Sequence, residues 1–427
     1  MNQYASMIRN LKSAPVMERL NHLYGNRDGM MVAQSARYIA LLKRHEELFN
    51  CEDGPVVLIS APGRTEIGGN HTDHNRGKVL AAAVNLDTVA AVSARSDMLV
   101  HLHSEGYPAM TLDLSDLQPR EEEKGTTAAL IRGVADRMTQ LGYKVGGFDA
   151  ACTSNVTSGS GLSSSAAFEV LICAVLDKLY NGWTLDYKLR AQISQYAENV
   201  HFGKPSGLLD QMASSAGGLV HIDFKGDDPV VRPMNYDFSQ KGYALVVVNT
   251  GGSHADLTDA YAAIPSEMKA VAACFGESCL RRVRPEQIVQ ELPRLREEVS
   301  DRAIMRAMHF FQENTRVVKQ VEALESDDLN AFFDAIISSG RSSFMYLQNV
   351  YANQEDQSLS LALCLAEDKL KGKGAWRIHG GGFAGTTLNF VPVCELDAFI
   401  SEMESAFGEH SCQILDIRPE GAAYLEV

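Results

Sequence analysis

Long apolar runs are missing from this 427-residue sequence. None approaches the ~20 residues that a membrane-crossing helix needs, and the first 24 residues lack the continuous apolar core of a secretion signal. Also missing is any Cys-x-x-Cys pair or zinc-finger spacing among the eight cysteines, Cys51, Cys152, Cys173, Cys274, Cys279, Cys364, Cys394 and Cys412. Several sit in apolar stretches such as Leu171-Ile172-Cys173-Ala174-Val175, so they read as buried reduced thiols and, with no signal present, predict a cytoplasmic protein. Basic clusters are absent too. The 39 Lys and Arg are outnumbered by 54 Asp and Glu, a formal charge of −15, which disfavours nucleic acid and anionic membrane as partners. An anionic ligand would therefore need a local device: backbone amides, a few basic side chains or a bound metal. No internal repeat and no low-complexity tract breaks the chain.

What is present is ordinary globular material, 45% hydrophobic and 22% charged. A monomer of this size removes roughly three quarters of its unfolded surface on folding, and at ~150 residues per domain its length suits about three domains or, equally well, two large ones. Helical spacing over 4–12 and 30–49 predicts an opening helical segment, residues 1–50. Short β-branched and apolar runs then predict strands at 56–59, 78–84, 88–94, 99–103 and 147–156, and the nearly all-apolar stretch 166–179 predicts a buried helix. Lys225-Gly226-Asp227-Asp228-Pro229 reads as a linker, dividing 51–225 from 226–427. Beyond it come a strand at 243–248, helices over about 300–371, a strand–glycine loop–strand at 376–391, and a last helix and strand. Mixed hairpins and separate helices predict an α+β fold.

Three loops carry the chemistry. Gly159-Ser160-Gly161-Leu162-Ser163-Ser164-Ser165-Ala166-Ala167 lies between a predicted strand and the buried helix. Glycines there let backbone amides approach an anion, serines can cap the helix, and its N-terminus supplies partial positive charge, so the loop reads as a phosphate cradle. A flexible Gly/Ser linker is the plainer alternative, but it would not be clamped between a strand and an apolar helix. G-x-x-x-x-G-K-[ST] occurs nowhere, which excludes P-loop kinases. The second loop, Ala61-Pro62-Gly63-Arg64 through Asn70-His71-Thr72-Asp73-His74-Asn75, gathers an Arg, two His, an Asp and two Asn suited to a polar ligand. His71, Asp73 and His74 could also be read as metal ligands, though no further spacing completes a site. The third, Gly380-Gly381-Gly382-Phe383-Ala384-Gly385, contains G-x-G-x-x-G, yet Thr386-Thr387-Leu388-Asn389-Phe390-Val391 after it is strand-like, so a dinucleotide fold fails on context and a loop closing over a ligand, or a tight hairpin, remains. Between them, Glu198 and Asp210 suit a metal-binding carboxylate and a general base, or are plain surface acids.

In this order the motifs resemble the galactokinases of the GHMP kinase superfamily, from about residue 56 onwards. That resemblance implies a two-domain fold, with an N-terminal domain like domain 2 of ribosomal protein S5, a ferredoxin-like C-terminal domain and the active site between them. It implies ATP-dependent phosphorylation of a monosaccharide C1 hydroxyl, galactose first, with a uronic acid, amino sugar or pentose as alternatives. It further implies Asp210 as the proton acceptor, Arg64 as its partner, and Asn70, His71, Asp73, Gly207 and Tyr261 on the sugar. Gly159, Ser160, Gly161, Leu162, Ser163, Ser164, Ser165, Gly381 and Gly382 would hold ATP, while Ser165 and Glu198 would hold Mg²⁺. Other readings are a silent sugar and ATP sensor, or a branch acting on mevalonate-type or homoserine substrates; sugar, ATP and at most a weak self-association are the expected partners. The chain departs from the usual galactokinase pattern at Asn70, where Glu is common, at His74, where Tyr is common, and in its long helical start.

Overall fold

The computed structural model describes residues 3–51, 54–157, 159–252, 257–351, 354–383 and 385–427. Two sheets organise them. The first has eight strands: β1 (Val57–Gly68), β2 (Lys78–Ala94), β3 (Leu99–Ser104), β4 (Met110–Asp113), β5 (Phe148–Ser154), β6 (Leu219–Asp223), β7 (Val230–Met234) and, from far along the chain, β12 (Ala423–Leu425). Its main path runs β12-β1-β2-β5-β3-β4, with β6 and β7 added along the other half of β2. The second sheet has β8 (Tyr243–Asn249), β9 (Ala375–His379), β10 (Thr386–Pro392) and β11 (Cys412–Leu415) in the antiparallel order β11-β8-β10-β9. With helices between β8 and β9 and between β10 and β11, this is the β-α-β-β-α-β connectivity of a ferredoxin-like unit.

Alternation along the central strands explains why they read as unbroken apolar runs. Ile59, Ala90, Val92, Ala150 and Cys152 face one side, under the helices Thr127–Gln140 and Ser164–Tyr180. Leu58, Val89, Ala91 and Ala151 face the other, where the N-terminal helices Gln3–Asn10, Ala14–Tyr24 and Met30–Phe49 press Leu20, Leu23, Tyr38 and Leu42 against them. The opening helical segment is therefore the lid of the sheet's second face. Beneath it Asp87 is sealed in a polar knot. It takes hydrogen bonds from Arg37 Nη1 (2.6 Å) and Arg418 Nη1 (2.9 Å), together with the hydroxyls of Ser60 and Tyr24 (2.5 Å to the latter). Burial works against the Asp87 carboxylate, but the two guanidinium charges prevail and hold its pKa below the ordinary value.

Several expectations are corrected. The predicted strands 78–84 and 88–94 are one, β2, and β1 continues through the glycine-rich signature as far as Gly68. It does so by bulging twice, between Pro62 and Arg64 and between Glu66 and Gly68. Lys225–Pro229 is not a boundary but the turn between β6 and β7, so the first sheet continues beyond residue 225 and recruits β12 as well. Gly-Asp-Asp-Pro has the same turn chemistry in a hairpin as in a linker.

Candidate active site

The strand bulge at Pro62/Arg64 turns Arg64 towards the gap between the two sheets. Its Nε donates to Asp210 Oδ1 at 2.6 Å, and Nη1 donates to the Gly161 carbonyl at 2.6 Å. Asp210 lies in the first turn of the Leu209–Ala216 helix and is one-third exposed, whereas Arg64 is almost wholly buried. Ser163 completes the triangle, donating through Oγ to Asp210 Oδ2 at 2.5 Å. This is a different use from the predicted one: Ser163 makes no side-chain cap on the following helix and sits instead in the left-handed region, φ 60°. Burial pushes the Asp210 carboxyl up, but the adjacent Arg64 charge, its hydrogen bond and that of Ser163 outweigh this and hold the pKa below 3.8.

Gly159 (φ 80°), Gly161 (φ 71°) and Ser163 (φ 60°) put every second residue of the cradle at positive φ, the alternation that turns backbone N–H groups inwards around an anion. At Gly161 a Cβ would come within 2.3 Å of Thr386 Oγ1 and 2.9 Å of His379 Nδ1, so only glycine lets this loop meet the second sheet. The Glu66 N–H donates to His379 Nε2 (3.3 Å), leaving the proton of the neutral ring on Nδ1, towards Thr386 Oγ1 (3.0 Å). Burial, then the charges of Arg64 and Arg377, keep that ring neutral.

Continuing directly from the Tyr187–Tyr196 helix, a π-helical segment Ala197–Phe202 presents Glu198. Its carboxylate receives Ser165 Oγ (3.3 Å), Lys204 Nζ (2.8 Å), Gln211 Nε2 (2.8 Å) and the Ser206 hydroxyl. Gln211 also donates to Glu169 (3.0 Å), whose pKa is driven well up, first by burial and then by Glu198. Ser165 and Glu198 thus converge. Among the described residues, no three His, Cys, Asp or Glu side chains are grouped to hold a metal ion; His71 and His74 rings lie 5.8 Å apart.

Asp73 and Gly207 meet closely. A Cβ on Gly207 would lie 1.7 Å from Asp73 Oδ2, and Leu209 N donates to that same oxygen at 3.4 Å. Burial and then the charge of Asp210 raise the Asp73 pKa to about 6. His71, at φ 55°, gives its Nε2 proton to the Gly381 carbonyl (3.0 Å), and burial lowers its pKa. Tyr261 donates to the Gly382 carbonyl (2.8 Å) and packs edge-on against Phe383. A cavity of 710 Å³ opens beside Asp73, Ser206 and Gly207, walled on its far side by Ala262 and Lys269. A second cavity, of 760 Å³, lies behind Phe383 between Arg302 and Tyr351 and holds none of the predicted residues.

Asn70, also expected on the sugar, has its side chain wholly engaged by protein. Its amide donates to Glu66 Oε1 (2.9 Å) and the Gly380 carbonyl (2.7 Å), and its oxygen accepts from Asn349 Nδ2 (2.9 Å) and Ser343 Oγ (3.2 Å). Both donors and both lone pairs are spent on protein, so Asn70 locks the signature to the glycine loop instead of facing a ligand. Residues that sequence reasoning missed include Glu66, Gln211, Lys204 and Asn349. Glu66 and Gln211 had a signal in their neighbours, one lying two residues from Arg64 and the other directly after Asp210.

Comparison with known proteins places this geometry. The galactokinase galactose-binding signature matches residues 43–94, and the N-terminal domain of GHMP kinases matches residues 129–218. Galactokinase of Streptomyces coelicolor is 33% identical over 374 residues, 86% of this chain and 92% of its own. Among solved structures, Lactococcus lactis galactokinase complexed with galactose superposes with a TM-score of 0.80 at 23% identity, over 91% of this chain and 100% of that one. The mevalonate kinase of Methanococcus jannaschii follows with a TM-score of 0.60 at 12% identity, over 86% of this chain and 99% of that one. The two-sheet architecture is the GHMP kinase fold, and at this identity and coverage the chain belongs to the galactokinase family.

Proposed function

We propose that this chain transfers the γ-phosphoryl group of ATP to the C1 hydroxyl of a monosaccharide, galactose being the first choice. The observation that carries this reading is the Arg64–Asp210 pair at the mouth of the Gly159–Ser165 cradle. Asp210 is a carboxylate throughout the neutral range and keeps lone pairs free on both oxygens. Such a weak base suffices because phosphoryl transfer is loose, so the sugar proton departs late. Arg64 holds Asp210 with Nε and Gly161 with Nη1, while its Nη2 donates to none of the described residues and is available to the transferring phosphoryl oxygens. Positioning and charge neutralisation supply most of the acceleration.

His71, Asp73, Gly207 and Tyr261 line the sugar side, with Gly207 admitting the ring close to Asp73. Gly159 to Ser165, with Gly381 and Gly382 opposite, cover the triphosphate. A hydroxyl and a carboxylate side by side, Ser165 and Glu198, fit Mg²⁺, which takes one or two protein oxygens and completes its shell with phosphates and water. Bound there, the ion would offset phosphate charge; Lys204 serves Glu198 as counter-charge in its place. No helix among the described residues is long and apolar enough to cross a membrane, and a cytoplasmic sugar-phosphorylating role suits the reduced cysteines. ADP release measured across a monosaccharide panel tests the assignment. Turnover with galactose supports it; turnover with mevalonate or homoserine alone, or binding of sugar and ATP without turnover, overturns it.

A further inference from the structure

Galactokinases commonly carry a glutamate where this chain has Asn70, and the structure shows that Asn70 cannot replace that acceptor, since its side chain is consumed by protein contacts. A carboxylate is nevertheless close by. Glu66 Oε1 lies 2.9 Å from Asn70 Nδ2 and 2.9 Å from Arg377 Nη2, and Arg377 is itself pinned by the Ile67 carbonyl at 2.6 Å. The second oxygen, Oε2, accepts no hydrogen bond among the described residues, and 8% of the side chain remains exposed. Resting on the sugar-kinase reading above, we propose that Glu66 is a specificity-determining residue, whose Oε2 accepts a hydrogen bond from a hydroxyl on the ring edge opposite C1.

Strand geometry supports the placement. Arg64, Thr65 and Glu66 pair in unbroken register with Ala83, Ala82 and Ala81, so Arg64 and Glu66 share one face of β1 while Thr65 turns away to His379. Two residues of strand span about 7 Å. That is comparable to the width of a pyranose, so a sugar with C1 at Asp210 brings its far hydroxyls towards Glu66. The charge of Glu66 is felt at His71, Asp73 and Arg64, three groups of the same site. Asn70 and Arg377 then act as positioning residues: they fix one carboxylate oxygen and leave the other directed by exclusion to a ligand.

The test is steady-state kinetics of wild type and Glu66→Gln on galactose, 4-deoxygalactose and 6-deoxygalactose. A carboxylate-to-hydroxyl bond remote from the reacting atoms should raise KM for galactose about ten- to a hundredfold with kcat little changed. For one of the two deoxy sugars the penalty should vanish, because the hydroxyl that Glu66 accepts is no longer there. An equal penalty on all three sugars would show Glu66 to be only a structural partner of Arg377 and overturn the proposal, as would an unchanged KM for galactose. If Glu66→Gln fails to fold, Glu66→Asp, which keeps the charge beside Arg377 but withdraws the oxygen by one methylene, reads out the same analogue dependence. Absence of turnover by the wild type on every sugar would instead defeat the kinase reading itself.

Discussion

Arg64 and Asp210 are 146 positions apart in sequence and meet through one hydrogen bond of 2.6 Å, with Asp210 in the first turn of an eight-residue helix and Arg64 on a bulged strand. The pair divides the labour of the site, one group fixed and buried, the other open to the cleft. Replacing Asp210 by Asn keeps the shape and removes the proton acceptor. Turnover should fall by about 10²- to 10⁴-fold, while sugar affinity measured by calorimetry stays close to that of the wild type.

Asp73 sets the acid limb of the pH profile. Its pKa is raised to about 6, first by burial and then by Asp210, so below that pH it loses its acceptor capacity and kcat/KM for the sugar should decline. Asp210 does not contribute to this limb, being held on the acid side of its ordinary value. The upward shift at Asp73 means that ionisation costs stability above about pH 6 and acid relieves that cost; the activity loss is thus not unfolding. In Asp73→Asn the limb should flatten, at the expense of a higher KM.

Gly207→Ala would place a methyl group 1.7 Å from Asp73 Oδ2. Either the carboxylate or the loop must move, an overpacking strain of about 1–3 kcal/mol. KM for the sugar should rise at least tenfold and KM for ATP hold, since the cradle is built by a separate loop. Equal changes in both constants would mean that the two loops are mechanically one.

Under the N-terminal helices, Asp87→Ala would strand Arg37 and Arg418 without their shared carboxylate. The expected cost is about 3–5 kcal/mol in chemical denaturation, with kcat of the surviving folded protein unchanged. Because the Asp87 pKa is depressed, its contribution is present at neutral pH and is lost only as strong acid titrates it. Acid unfolding of the wild type should therefore be steep, and shallower in the variant.

How much of this was legible in the sequence depends on range. The cradle and the signature announce themselves locally, through glycine and serine before an apolar helix and through polar side chains crowded after a strand, whereas Asp210 was singled out by the family resemblance. The course of β1 was hidden because Gly63, Gly68 and Gly69 speak for turns, whereas cross-strand pairing with β2 takes Gly63 into a bulge and pairs Gly68 with Leu80. Asn70 looked like a ligand contact because nothing nearby revealed that Ser343 and Asn349, some 270 positions later, would occupy its oxygen. Ser163 could be read as a helix cap, since the carboxylate that captures its hydroxyl lies 47 residues away. Lys225–Pro229 has the right residues for a turn; only tertiary pairing decides what it joins.

The outer edge of β1 is closed by Ala423–Leu425, and Arg418 reaches Asp87 from the same stretch. A polypeptide emerging from the ribosome must therefore expose more than 400 residues before its first long strand acquires both neighbours. Until then the unpaired rim of β1 is a template for mispairing with other nascent chains, and the first half of the molecule waits on the second for its finished form.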